Sequence, residues 1–349
     1  MVDRRKKTVT SLQELADLAG VSRATASRAL NDNPMISAKT RARIQALASE
    51  HSFSINRQAR AFRLRRSNLI AVVFMLDVQS DQHMSDPFFL EMLGGIADAL
   101  AERDYDLLLT HAPVTDVRAL RGGRAFQQAD GIIFIGQGEQ HEALDELSDE
   151  ETPFVVWGGP VGSKRYILVG GDNHGGGYAA TRHLLDSGRR RIAFFGNTRN
   201  PEIAARYTGY AAALAEFGLE PDPELTVDVP FDMPHARDVT SRLLERAQQF
   251  DGVVCASDVI ALAAISTFAA LGVRVPDDIA VVGYDDVALA SYSSPALTTV
   301  RQNIRWAGRV LVESVLGLIN GDDVTDTQLQ SELVVRDSST RRGDGTGPG

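Results

Sequence analysis

Several polar segments in the sequence carry side chains that could bind a small, hydroxyl-rich molecule. Each follows an apolar run, and together they combine carboxylates, an arginine and aromatic rings: 84–89, 172–177, 203–207, 257–258 and 284–286. Carboxylates and guanidinium groups form bidentate hydrogen bonds with the edges of such a molecule, and aromatic rings pack against its faces. A sugar fits this set of groups. Aspartates also cap helices, and capping is the preferred interpretation for Asp172 and Asp286.

Catalysis and metal binding have no comparable support. The sequence contains no phosphate loop of the Gly-x-x-x-x-Gly-Lys-Ser/Thr type, no Gly-x-Ser-x-Gly and no His-Glu-x-x-His. The glycines 175–177 lack the spacing of a dinucleotide fingerprint, and the seven histidines are scattered without ligand spacing. The single cysteine, Cys255, lies in an apolar run and is expected to fill the core. We therefore expect no enzyme activity, no cofactor and no metal.

Basic residues are concentrated at the N-terminus. Residues 1–66 hold fourteen Lys/Arg against five Asp/Glu, a net charge of +9, whereas the whole chain carries −10 and the remainder therefore −19. A basic head attracts phosphates and an acidic body repels them. The distribution predicts that the chain binds DNA through its head alone.

Three short helices are predicted in this head. The first begins at Thr10, which forms a capping-box pattern with Gln13, and ends at Gly20. Ser22 caps the second helix, residues 23–30, and a third helix runs from Ser37 to about residue 51. Two short helices joined by a glycine turn are typical of a helix-turn-helix, whose second helix enters the major groove of DNA.

Two features of the head point to specific DNA contacts. Arg23, Ala24 and Arg28 would face the base edges, although a solvated basic face is the alternative for any single arginine. Residues 56–66 are helix-prone but shorter than the roughly 12–15 residues that an isolated helix needs, so we expect them to fold only on DNA. Phe62 is a candidate minor-groove wedge, unless it packs on the neighbouring domain.

From Leu69 onward, short apolar runs alternate with amphipathic helical segments. The runs are 69–76, 105–109, 131–135, 154–157, 191–195, 252–255 and 279–283. This alternation predicts an α/β body of two lobes, each a parallel sheet with helices on both faces. Ligands of such sheets bind beyond the carboxyl ends of the strands, where the polar segments fall.

The runs Val9–Asn31, Ser37–Arg41 and Asn56–Arg57 resemble the lactose/galactose-repressor family of bacterial transcription regulators, and the similarity extends to Leu333–Asp337. The resemblance implies an all-α helix-turn-helix head (1–55), a hinge helix (56–67) and a two-lobed body like that of periplasmic binding proteins (68–337). We expect an N-lobe of about 68–167 and 298–328, a C-lobe of about 168–297 and 329–337, and a disordered tail from 338 to 349. It also implies a repressor controlled allosterically by a small sugar or sugar derivative.

The resemblance also implies roles for individual residues. The expected effector contacts that match family positions are Trp157, Arg206, Phe231, Ser257, Asp285 and Gln302. The polar segments add Asp86, Phe88 and Asp258 to this set. The expected DNA contacts are Thr10, Ser22, Arg23, Ala24, Thr25, Arg28, Asn31, Asn56, Arg57, Ala59, Arg60, Phe62 and Arg63. This chain departs from the family at Phe62, where leucine is usual, at Ser257 for asparagine, and at Gly158 for aspartate. Core packing is the alternative role for Trp157.

The expected partners are a near-palindromic operator, a sugar and a second copy of the chain. The tail lacks the leucine heptad of tetramer-forming members, so we expect a homodimer. The longest apolar run is far shorter than a membrane span, and the N-terminus lacks a secretory signal, so we expect a cytoplasmic protein without a membrane partner. A purine- or sugar-phosphate-responsive corepressed regulator remains an alternative. A transport-type sugar-binding protein would need a signal peptide and would not carry the basic head.

Overall fold

A computed structural model describes residues 9, 11–30, 33–51, 66–76, 82–110, 117–138, 140–229, 231, 233–246 and 250–340. The chain divides into two compact units, Met1–Ser67 and Asn68–Gly349.

The first unit contains three helices, α1 (Leu12–Leu18), α2 (Arg23–Leu30) and α3 (Ala38–Glu50). Leu15, Ala29 and Ile44 are fully buried and bring the three helices together in a small core. The turn between α1 and α2 passes through Gly20, whose φ of +62° favours glycine. The prediction of two short helices joined by a glycine turn is confirmed.

The residues that cap α1 and α2 agree with the prediction from the sequence at one helix and differ by one position at the other. Ser22 caps α2, since its Oγ accepts from the backbone N–H of Thr25 at 3.1 Å. The cap of α1 is Ser11, whose Oγ accepts from the N–H of Glu14 at 3.2 Å. The prediction of Thr10 as this cap is therefore wrong by one residue, because Ser11 and Glu14 form the same pattern one position later. Thr10 itself lies outside the described residues.

The second unit is built on two sheets. The strands of the first are β1 (Leu69–Phe74), β2 (Asp106–Thr110), β3 (Gly131–Ile135), β4 (Phe154–Trp157), β5 (Ile167–Gly171) and β11 (Thr327–Leu329). Their order is β11-β5-β4-β3-β1-β2, with all neighbouring strands parallel.

The strands of the second sheet are β6 (Ile192–Phe195), β7 (Thr226–Val227), β8 (Gly252–Cys255), β9 (Ala280–Asp285), β10 (Thr298–Arg301) and β12 (Glu332–Val334). Their order is β12-β10-β9-β8-β6-β7, in which β12 runs antiparallel to β10.

Helices cover these sheets. In chain order they are α4 (Pro87–Ala101), α5 (Arg124–Gln128), α6 (His141–Leu147), α7 (Asn173–Asp186), α8 (Pro201–Glu216), α9 (Met233–Arg246), α10 (Asp258–Ala270), α11 (Ala288–Tyr292) and α12 (Ile304–Asn320), with a 3₁₀ turn at Val117–Leu120. The backbones of α4 and α12 approach closely at two glycines. A Cβ on Gly95 would lie 2.6 Å from the carbonyl oxygen of Arg305, and one on Gly308 would lie 2.8 Å from the backbone nitrogen of Ile96.

The lobe boundaries differ from those predicted. Strand β5 belongs to the first sheet and β10 to the second, so the chain crosses between lobes about four residues later than expected at both places. Leu329 likewise ends a strand of the first sheet rather than beginning the C-lobe segment. Ile167–Gly171 and Thr298–Arg301 were not predicted as strands, because each is short and combines apolar residues with glycine or polar residues.

The predicted disordered tail begins too early. Ser338 is fully buried: its Oγ accepts from the backbone N–H of Thr298 at 2.8 Å and donates to the carbonyl of Val281 at 2.6 Å. Ser339 is buried as well. The packed chain therefore includes these two serines, because the Ser338 hydroxyl bonds to backbone groups of strands β9 and β10 and the Ser339 hydroxyl to the side chains of Thr298 and His183. Residues 341–349 lie outside the described residues.

Two further expectations concern the core and the membrane. Cys255 is fully buried in strand β8, as predicted, and burial raises the pKa of its thiol. None of the helices in the described ranges is both long enough and apolar enough to cross a membrane.

Candidate functional site

A cavity of about 400 Å³ lies at the carboxyl ends of both sheets. Its wall includes residues that follow or end β3, β4, β6, β8 and β9, as expected for ligand sites in parallel sheets. The residues that line it are Met75, Leu76, Gln82, Asp86, Phe88, Phe89, Gly136, Gln137, Gly138, Gln140, Trp157, Asn197, Arg199, Asn200, Glu202, Ile203, Arg206, Phe231, Ser257 and Asp285. Both lobes contribute, so a molecule in this cavity would contact both.

Seven of the nine side chains predicted to contact an effector lie on this wall. They are Asp86, Phe88, Trp157, Arg206, Phe231, Ser257 and Asp285. Phe231 is the only one that lies in a segment with neighbours outside the described residues. The structure therefore brings these side chains together in one cavity, and their contact with a ligand stays a prediction.

Asp258 and Gln302 do not line the cavity. The buried carboxylate of Asp258 accepts hydrogen bonds from Thr299 Oγ1 at 2.5 Å and from the N–H of Val287 at 2.9 Å. It therefore stabilises the second lobe, and burial raises its pKa well above the ordinary value. Gln302 lies behind the wall and donates from Nε2 to Oδ1 of Asp285 at 2.6 Å. Its expected role becomes indirect, through Asp285.

Arg206 is held in place from three sides. Its Nε donates to Oδ1 of Asn173 at 2.8 Å, and its Nη1 donates to the carbonyl of Ala256. The guanidinium also stacks over the ring of Tyr284, 3.7 Å from the ring centroid, a cation–π arrangement. Arg206 is therefore a rigid donor at the cavity wall.

Asp285 combines burial with a strained backbone. It is only 7% exposed, and burial raises its pKa to about 7, against the opposing effects of the Arg206 charge and the Gln302 hydrogen bond. Its φ of +115° lies in a region that non-glycine residues rarely adopt. Such strain is often found at functional sites, where surrounding contacts maintain it.

Of the two aspartates predicted to cap helices, Asp172 does so and Asp286 does not. Asp172 caps α7, since its Oδ1 accepts from the N–H of Gly175 at 2.9 Å. Asp286 does not cap a helix, so that interpretation is wrong. Its carboxylate instead accepts from Arg301 at 2.7 Å and from Arg336 at 2.6 Å, because both arginines lie beside it on the second lobe.

Aromatic rings form one part of the wall. Phe88 and Trp157 lie with their ring centroids 6.3 Å apart, and Trp157 also packs in the core of the first lobe. Asp86 caps α4 by accepting from the N–H of Phe88 at 2.8 Å, and burial raises its pKa. The cap therefore fixes both a carboxylate and a ring at the cavity.

Several polar residues of the wall were not predicted from the sequence. Gln137 follows β3 by two residues, so the rule that ligand groups follow strands could have identified it. Glu202 lies in the first turn of α8, and burial raises its pKa. The position of Glu202 depends on how the lobes face each other, which no local signal in the sequence reports.

The exposed face of α2 carries the residues predicted to read DNA. Arg23, Ala24 and Arg28 are exposed, whereas Ala26 and Ala29 are buried against the head core. Thr25 forms a hydrogen bond with the cap residue Ser22, with 2.9 Å between their hydroxyl oxygens. The remaining predicted contacts lie outside the described residues: Thr10, Asn31, Asn56, Arg57, Ala59, Arg60, Phe62 and Arg63.

Comparison with known proteins gives consistent matches over both units. Residues 11–56 match the family described as bacterial regulatory proteins, lacI family, and residues 181–339 match the periplasmic binding protein-like domain. The HTH-type transcriptional regulator CelR of Thermobifida fusca is 32% identical over 97% of this chain and 100% of its own length. The HTH-type transcriptional regulator AglR of Rhizobium meliloti is 32% identical over 94% of each protein.

Solved structures show the same fold. The structure described as a transcriptional regulator CelR–cellobiose complex superimposes with a TM-score of 0.72 at 31% identity, covering 95% of this chain and 100% of that one. The lac repressor dimer bound to operator and the anti-inducer ONPF has a TM-score of 0.79 at 23% identity, covering 96% of this chain and 100% of that one. The second match shows the fold alone.

Proposed function

Because the chain belongs to the lacI family of bacterial regulatory proteins, we propose that it is a homodimeric repressor whose affinity for a near-palindromic operator is controlled by a neutral sugar. The sugar binds in the cavity between the two lobes. The protein acts in the cytoplasm and has no catalytic activity of its own.

The observation that carries this proposal is the composition of the cavity wall. Phe88 and Trp157 supply ring faces from the first lobe, whereas Arg206 and Asp285 supply charged hydrogen-bonding groups from the second. A sugar presents apolar ring faces and hydroxyl edges, and both kinds of surface are matched here. The volume of about 400 Å³ lies within the range of roughly 300–1,000 Å³ typical of small-molecule sites.

The charges at the wall favour a neutral ligand over a sugar phosphate. Among the described residues, the carboxyl groups of Asp86, Glu202 and Asp285 line the cavity, together with the guanidinium groups of Arg199 and Arg206. Arg206 already donates to Asn173 and Ala256 and stacks on a ring. A phosphate would therefore be repelled by each of these carboxyls that is ionised, whereas a neutral sugar would not be. Cellobiose is the first probe, because the solved structure of the relative CelR is described as a complex with it.

Coupling to DNA follows from the position of the cavity. A ligand that contacts both lobes favours one degree of lobe closure, and it controls DNA binding only if it binds the two states of the protein with different affinity. Coupling of about 1–3 kcal/mol is typical of such systems. The sign of that difference in sugar affinity determines whether the sugar lowers or raises the affinity for the operator.

A ligand screen followed by DNA binding tests the proposal. Thermal unfolding is followed with cellobiose, other neutral mono- and disaccharides, glucose 6-phosphate and hypoxanthine. The operator is selected from random duplexes with the full-length protein. We expect a neutral sugar to raise Tm and to change operator affinity, whereas the phosphate and the purine do neither.

Arg206→Met supplies the test of the site. It should abolish the response to the sugar and leave operator affinity in the absence of sugar within about threefold. Arg182→Met is the matched control, because Arg182 lies on the exposed side of α7, where it pairs with Asp186 and Glu216. If the sugar response survives Arg206→Met, or if only the phosphate or the purine stabilises the protein, the proposal is wrong.

A further inference from the structure

Gln137 carries a buried side-chain amide at the cavity wall. Its side chain is fully buried and lines the cavity, yet neither Oε1 nor Nε2 has a hydrogen-bond partner within the part of the chain that the structure describes. Buried polar atoms are nearly always hydrogen-bonded, and leaving them unpaired costs free energy. A ligand in the cavity that reaches this carboxamide would therefore supply the partners that its two polar atoms lack.

Gly158 provides the space that this amide occupies. Gly158 follows strand β4, which neighbours the strand that precedes Gln137. A Cβ placed on Gly158 would lie 2.7 Å from Cδ and 3.2 Å from Cγ of Gln137, and it would overlap Oε1. Any side chain at position 158 would therefore displace the carboxamide. The orientation of Gln137 depends on glycine at this neighbouring position.

The chemistry of the amide differs from that of the charged groups on the wall. Asp86, Glu202 and Asp285 can only accept when they are ionised, and Arg206 can only donate. A carboxamide does both, since its oxygen accepts and its NH₂ group donates. Two adjacent hydroxyl groups of a sugar ring match this pair, because one can donate to Oε1 while the other accepts from Nε2.

We propose that Gln137 determines which sugar the cavity accepts, by binding two adjacent ring hydroxyls through its carboxamide, and that Gly158 is required for this contact. This inference rests on the proposed function. It goes beyond it by naming the group that recognises the sugar and the pattern of hydroxyls that it recognises.

A double-mutant cycle tests the inference. The affinity for cellobiose is measured by isothermal titration for the wild type, Gln137→Ala, Gly158→Ala and the double variant; if another sugar of the screen binds more tightly, that sugar replaces cellobiose. We expect each single change to weaken binding at least tenfold. The double variant should be within about threefold of Gln137→Ala, because Gly158→Ala acts through the amide that is already gone.

Monodeoxy derivatives of the same sugar identify the hydroxyls. The wild type should discriminate against removal of either of two adjacent hydroxyls, and Gln137→Ala should lose that discrimination for those two positions only. A purely structural role of Gln137 would leave the discrimination unchanged. Tm and operator affinity of each variant report folding, and Gln137→Met, which retains the length of the side chain, replaces Gln137→Ala if the latter unfolds.

The outcomes separate this inference from the proposed function. If no sugar binds the wild type, the proposed function fails and the inference fails with it. If a sugar binds the wild type but Gln137→Ala binds it within twofold, the inference alone is overturned. Losses that multiply in the double variant would also overturn it, because the two residues would then act independently.

Discussion

Gln302 donates a hydrogen bond to Asp285, with 2.6 Å between Nε2 and Oδ1, and this bond links a crossing between the lobes to the cavity wall. Gln302 follows strand β10 of the second lobe and precedes helix α12, which packs on the first. Asp285 ends strand β9 with a φ of +115°. A ligand that bound Asp285, as proposed above, would therefore act on a residue already bonded to this crossing.

The raised pKa of Asp285 predicts an unusual dependence of stability on pH. Its pKa is about 7 in the folded protein because the carboxyl is buried, against an ordinary value of 3.8. Between these values the folded state holds more proton than the unfolded state. The contribution of Asp285 to the free energy of unfolding is therefore complete below about pH 4 and is lost as the pH rises through 7, at no more than about 1.4 kcal/mol per pH unit.

Asp285→Asn removes this titration. We expect the free energy of unfolding of the wild type, minus that of the variant, to fall from pH 4.5 to 7.5 and then to level off, as measured by urea unfolding of the two proteins. Asp278→Asn is the control, because Arg274 donates to Asp278 and holds its pKa at about 2. The free energy of unfolding of the wild type, minus that of Asp278→Asn, should therefore stay constant over the same pH range. A flat difference for Asp285→Asn would show that Asp285 is ionised throughout.

The sequence predicted the cavity better than it predicted the lobes. Asp285 ends strand β9 and Ser257 lies just after β8, and the ends of parallel strands converge at one edge, so strand position indicated both residues. The expected contact of Trp157 was implied by the family resemblance. The strand Thr298–Arg301 was assigned to the wrong lobe, because pairing between distant segments determines the sheet to which a strand belongs. Gln137 was missed for a related reason, since its importance depends on the glycine in the neighbouring strand.

The two tryptophans of the chain allow binding to be followed by fluorescence. Trp157 is 4% exposed and lies on the cavity wall, whereas Trp306 is 48% exposed on α12. We expect a sugar to change the emission of Trp157, because it changes the polarity of the cavity beside the ring. Trp306→Phe should retain the sugar-induced change, and Trp157→Phe should lose most of it while it weakens affinity only severalfold. A change that follows Trp306 instead would locate the sugar elsewhere.

Two serines in the head provide a matched pair for testing the role of α2. Ser22 and Ser37 cap α2 and α3 by the same geometry, with distances of 3.1 and 3.2 Å to the N–H groups of Thr25 and Thr40. Replacing either with alanine should destabilise the head by about 1 kcal/mol. At a temperature where both variants are folded, Ser22→Ala should weaken operator binding more than Ser37→Ala, as measured by fluorescence anisotropy. Equal losses would indicate that only the stability of the head matters.

Arg28 is the side chain from which we expect direct reading of a base. It is exposed on α2, on the side opposite the buried Ala26. An arginine that makes a bidentate contact with guanine contributes about 1–3 kcal/mol of discrimination. Arg28→Ala should therefore bind operators substituted at one position of each half-site almost as well as the selected operator, while it retains its preference at the other positions.

A phosphate contact would behave differently. It would weaken binding to all sequences equally and would lower the salt dependence of the affinity by about one unit of slope. Lys39→Ala is the control, because Lys39 is exposed on α3 and outside α2, and it should leave the base preference unchanged. If Arg28→Ala gave the same base preference as the wild type and a smaller salt slope, Arg28 would be a phosphate contact and α2 would read the operator through other side chains.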